Sequence, residues 1–89
     1  MKIVQIKWND IITVSERMPL DIAKESELAE CYTYGMLIFE NDKKVIVAHS
    51  LQKVPQDMSP EIVEFVSEYS VIPKGCILEI KELSDTTAQ

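Results

Sequence analysis

His49, Cys31, Cys76 and Arg17 carry some of the most reactive side chains of this sequence, and their spacing decides which chemistry is open to them. A serine–histidine nucleophile needs both side chains on one side, a third group to orient the imidazole, and donors for an oxyanion. Ser50 follows His49 directly in a strand-like run, so the two point to opposite faces. A zinc site would need His49, Cys31, Cys76 and a carboxylate to converge from distant positions, and no Cys-x-x-Cys or Cys/His pair has ligand spacing. The acid pairs Glu25/Glu27 and Glu61/Glu64 sit in polar segments, whereas general acid–base work wants a carboxyl in a partly apolar pocket. With glycine only at positions 35 and 75, neither a dinucleotide-binding loop nor a phosphate loop can be written. The residues therefore predict no catalytic constellation, no metal site and no cofactor: a chain that is not an enzyme. What remains is binding chemistry. Arg17 is a fork-shaped donor for a phosphate, and Lys53 and Lys74 lie on proline-containing loops. His49 is a surface residue or a ligand contact, and Trp8 is either core or a stacking surface.

The elements that must position these residues are mostly strands. Lys2 to Trp8 alternates, with Val4, Ile6 and Trp8 on one face and Ile3, Gln5 and Lys7 on the other, which predicts a half-buried strand. Residues 11–30 read as a surface loop with a short helical turn, their acids forming a solvated face. Cys31–Phe39 and Lys43–Leu51 flank the polar turn Glu40-Asn41-Asp42 and predict a β-hairpin, with Tyr32 and Tyr34 in the core. Met36-Leu37-Ile38-Phe39 and Val45-Ile46-Val47-Ala48 are continuous apolar runs, as in strands covered on both faces, and a second subunit could supply one cover. Gly35 inside the first of these strands marks a bulge or bend. Ser59-Pro60-Glu61 is a good helix start, and the apolar spacing after it predicts a short helix over 60–67, then a strand over Tyr69–Ile72. Pro73 fixes its own φ, Gly75 permits a sharp reversal, and Ile77–Leu83 forms the last strand before a tail over 84–89. The expected fold is mainly β, with α+β as the alternative. It is a single domain over 1–83, a small, strongly bent SH3-like or Sm-like barrel of about five strands with one short helix.

Composition narrows the partners. The chain has 89 residues, enough for one domain with a thin core, and association is a common way for such a domain to gain apolar burial. Nine basic residues against fifteen acidic ones give a net charge of −6, which argues against direct DNA or RNA binding but not against a small anion in a local basic site. The two cysteines and the charged start MKIVQIKWND, which is no secretory leader, predict a reduced, cytoplasmic protein. No apolar run approaches the roughly 20 residues of a membrane helix.

The stretches Ile6-Lys7-Trp8-Asn9-Asp10, Gly35-Met36-Leu37-Ile38, Val45-Ile46-Val47-Ala48 and Ile72-Pro73-Lys74-Gly75-Cys76-Ile77 resemble small phage and prophage proteins of β-barrel type. The likeness omits 11–30 and 52–68 and carries no site residues across. It implies a phage-type gene product working in the host cytoplasm, some compact examples of which sequester nucleotide second messengers of host immunity as oligomeric sponges. The expectation is thus a homo-oligomeric module holding a small anionic nucleotide with Trp8, Arg17, His49, Lys53 and Lys74. The alternative is an acidic adaptor or inhibitor acting on a host protein, with a small His49 hydrolase and a virion assembly protein behind it.

Overall fold

In a computed structural model of the chain, residues 2–55 and 61–85 are described. Five strands make one antiparallel sheet: β1 (Lys2–Asp10), β2 (Ala29–Glu40), β3 (Lys44–Pro55), β4 (Ile62–Pro73) and β5 (Ile77–Asp85), in the order β4-β3-β2-β1-β5. A four-residue helix, α1 (Leu20–Ala23), lies between β1 and β2, and a 3-10 turn over Lys74–Cys76 joins β4 to β5. The mainly β expectation holds, as do the β2–β3 hairpin and the helical turn in 11–30.

The core face follows from side-chain size. Val4, Ile6 and Trp8 on β1 stand opposite Gly35, Thr33 and Cys31 on β2, large against small. Val4, Ile6, Val45, Val47 and Ile72 form the buried cluster, with Trp8, Leu37, Ile77 and Ile80 packed around it. Each fully buried valine or isoleucine stabilises by about 1.5–3 kcal/mol over its exposed state. The Trp8 indole N–H donates to Thr33 Oγ1 at 2.9 Å, so the ring enters the core edge with its polar atom satisfied.

The sheet bends. The strands joined by the 3-10 turn are its two edges, and four chain steps from Pro73 to Ile77 reach at most about 14 Å. Edges four strand spacings apart in a flat sheet would stand about 19 Å from each other. The turn also touches β1, and the Lys74 N–H donates to the Lys43 carbonyl at 2.8 Å. Register shifts at Ile3/Val4, Lys7/Trp8 and Leu37/Phe39 supply curvature. Among the described residues β4 and β5 do not pair, so the sheet is open.

Gly35 serves a close strand crossing. A Cβ there would meet the Ala48 carbonyl oxygen at 2.8 Å. At Ala48 the paired stretch of β3 with β2 also begins, and it runs from Met36↔Ala48 to Glu40↔Val45. From Ser50 onward β3 pairs only with β4, from Ser50↔Ser67 out to Pro55↔Ile62. The β3–β4 ribbon therefore continues past the sheet as an arm.

Expectations for β4 and for the corner after it are corrected. The helix over 60–67 is absent wherever it is described: Ile62 to Ser67 belong to β4. Val63, Phe65 and Val66 suit a pleated surface, and a ladder with β3 from Lys44↔Pro73 onward outweighs the helical spacing. Its cap, Ser59-Pro60, lies outside the described residues. Gly75, in turn, has no positive φ and nothing within 4 Å of its would-be Cβ, so the corner does not need glycine. The extended Pro73 (φ −64°, ψ 137°) and the 3-10 turn make the reversal.

Candidate binding surface

Five expected site residues are distributed over the whole chain. Arg17 lies in the exposed segment after β1, and His49 is exposed on β3 just past its last β2 pair. Lys53 is not on a loop as expected: β3 runs on to Pro55, and Lys53 pairs with Glu64 on the arm. Lys74 is on the 3-10 turn, its Nζ 2.6 Å from Glu40 Oε2. Trp8 is turned to the core. Lys44 pairs with Pro73 at one end of β3 while Lys53 lies nine residues further on, about 30 Å along the strand. Lys53 and Lys74 therefore do not meet around one small ligand within a single chain. The described residues enclose no pocket, and no group of three or more His, Cys, Asp or Glu among them stands at metal-holding distance.

The outer face of β5, β1 and β2 gathers more chemistry. Glu79, Lys7 and Tyr32 share one register row, and Lys81, Gln5 and Tyr34 share the next. Directly opposed residues stand on the same face, here the one away from Val4 and Ile6. The Tyr32 hydroxyl donates to Glu30 Oε1 at 2.7 Å, and Lys7 Nζ stands 3.4 Å from the same oxygen. Gln5 Nε2 donates to the Tyr34 hydroxyl at 3.1 Å. Each tyrosine remains 50% exposed, which corrects their expected place in the core.

These contacts tune the groups. The Tyr32 hydrogen bond holds the Glu30 carboxyl below its ordinary range, with help from Lys7. The same bond pushes the Tyr32 phenol up. Glu30 also raises the Lys7 ammonium. At neutral pH the strip thus holds a fixed carboxylate, a fixed ammonium and two aromatic faces whose hydroxyls are already engaged.

The sequence holds one signal for the strip, which gains its meaning only from the pairing with β1. Cys31, Thr33 and Gly35 alternate with Tyr32 and Tyr34, and the small residues are the ones that fit beneath the large side chains of β1. That Tyr32 and Tyr34 share one face of a strand does not by itself say whether the face is inside. No family model, curated protein or solved structure matches this chain.

Proposed function

We propose that the chain is a non-enzymatic, self-associating binding module of SH3-like or Sm-like type, whose ligand is a small planar anion such as a nucleotide signal. The observation that carries the reading is the two-row strip. Half-exposed Tyr32 and Tyr34 offer stacking faces, and Lys81 and Lys7 stand in the same rows. Ring stacking is worth about 1–3 kcal/mol per base, and a lysine in reach adds a charge-assisted bond. Lys7 is already paired with Glu30, so Lys81 is the stronger of the two for a phosphate. Arg17, His49, Lys53 and Lys74 lie outside these two rows. A phage origin and sequestration of a host immune messenger remain part of this proposal and rest on the resemblance.

Thermal shift with cyclic dinucleotides and ADP-ribose-type ligands tests it. Binding raises the melting temperature, and Tyr34→Ala with Lys81→Ala removes the rise. No shift at ligand levels well above micromolar overturns the nucleotide reading.

A second reading is the acidic adaptor on a host protein. Residues 11–28 are all exposed, and Ile11 (78%), Leu20 (70%) and Leu28 (57%) stand out among acids there. A stoichiometric partner that is captured from host lysate and lost at high salt favours it.

A further inference from the structure

The chain exposes more surface than a folded monomer of its size should. Its accessible surface is 7071 Å² at 10.2 kDa, against about 5,300 Å² from the usual scaling for monomers. The excess is roughly 1,800 Å² over the whole chain, and the arm is one part of it. Its radius of gyration is 18.4 Å, whereas a compact domain of this length has about 12 Å.

Part of the extension is the arm. From Ser50↔Ser67 to Pro55↔Ile62, β3 and β4 pair with each other alone. One side of the arm presents Leu51/Val66, Lys53/Glu64 and Pro55/Ile62, and the other Gln52/Phe65 and Val54/Val63. Ile62 is 60% and Phe65 50% exposed. An isolated two-stranded ribbon is marginal in water, and one apolar on both sides is more so.

We infer that a second copy of this chain covers the arm, the two arms packing together about a two-fold axis. The inference rests on the self-association proposed above and names its surface. Two arguments select a second copy over another partner. The cover is needed for the arm to persist at all, and a second copy is present wherever the chain folds. The arm is close to neutral on a chain of net charge −6, because Lys53 faces Glu64, so two copies meet there with little repulsion.

Sedimentation velocity and native mass spectrometry over a dilution series test this with three proteins: wild type, Phe65→Glu on the arm, and Leu78→Glu on β5. The expected result is a wild-type dimer, a Phe65→Glu variant that dissociates at least tenfold more readily with its β-sheet circular dichroism intact, and a Leu78→Glu variant like wild type. Backbone amides of Gln52 to Val54 should exchange slowly in the dimer and faster on dilution. A wild type monomeric throughout the series overturns both the dimer and the self-association reading. A wild-type oligomer that survives Phe65→Glu overturns the arm alone. If Phe65→Glu loses its β-sheet signal, the exchange measurement on wild type decides: arm amides unchanged on dilution across the dimer–monomer transition overturn the inference.

Discussion

At the residue scale, the two glycines separate need from habit. Gly35 lies where a Cβ would press on the Ala48 carbonyl at 2.8 Å, with Val47 Cβ at 3.4 Å. Backbone cannot swing aside as a lysine tip can, so Gly35→Ala should cost about 1–3 kcal/mol in denaturant unfolding. Gly75→Ala should do the reverse. Its site is open and its φ is not positive, so restricting the unfolded chain stabilises by up to about 1 kcal/mol. Equal effects at both positions would refute the distinction. The Glu30–Tyr32–Lys7 cluster makes a second residue-scale prediction. Glu30 is depressed in the folded state, so its contribution is present above the ordinary carboxylate range near about 4.3 and is lost as pH falls through its own lowered value. Tyr32 and Lys7 are raised, so theirs is present below about 10 and is lost as pH rises through their raised values. Glu30→Gln should return the Tyr32 phenol toward the ordinary tyrosine range in an NMR titration of ring-labelled tyrosine. A Tyr32 midpoint that stays where it was would show that Glu30 is not the cause.

At the element scale, β4 is where sequence and structure disagree. Glu68 has φ 53° in the middle of that strand, opposite the base of the arm. A side chain in the left-handed region is costly unless the residue is glycine, asparagine or aspartate. In a regular strand valine would be better than glycine by up to about 1 kcal/mol. At position 68 the order should invert: Glu68→Gly should be more stable than Glu68→Val by about 1–2 kcal/mol in chemical unfolding. Valine in the lead would mean the kink is not a fixed feature of β4. This strand also shows what could be read in advance. β1 was legible because one face of it is buried, so Val4 and Ile6 alternate cleanly with Gln5 and Lys7. The β2–β3 turn was legible because Asn41 acts locally. Its Oδ1 accepts from the backbone N–H groups of Lys43 and Lys44, both at 2.9 Å. β4 was not, because it is an edge strand whose outer half has no sheet beneath it. With apolar residues on both its faces, Ile62, Val63, Phe65 and Val66 show no period of two, and after Ser59-Pro60-Glu61 their spacing fits a helix as well as a strand. The strip of Tyr32 and Tyr34 was hidden for a related reason: which face of β2 is inside depends on β1, which is far away in sequence.

At the scale of the whole molecule, the question is what a chain with six buried apolar residues among those described gains from extents of 64 × 29 × 21 Å. A thin core favours every route to further burial, and the arm places apolar surface far from the body, where it cannot be covered by the chain's own sheet. Folding the arm back would bend the β3–β4 ladder between Ala48↔Tyr69 and Ser50↔Ser67; a second arm on one face leaves the ladder in place and takes apolar surface of both ribbons out of water. Two such chains overlapped along their arms would span roughly 100 Å, with the two bodies at opposite ends. Small-angle X-ray scattering with in-line light scattering should therefore give a dimer mass and a longest dimension near that length, well beyond the 64 Å of one chain. A dimer mass with a longest dimension near 64 Å would instead mean that the bodies, not the arms, pack together. A monomer mass with a radius of gyration near about 12 Å would mean that the arm lies against its own sheet, and that the excess surface is not held in reserve for a partner.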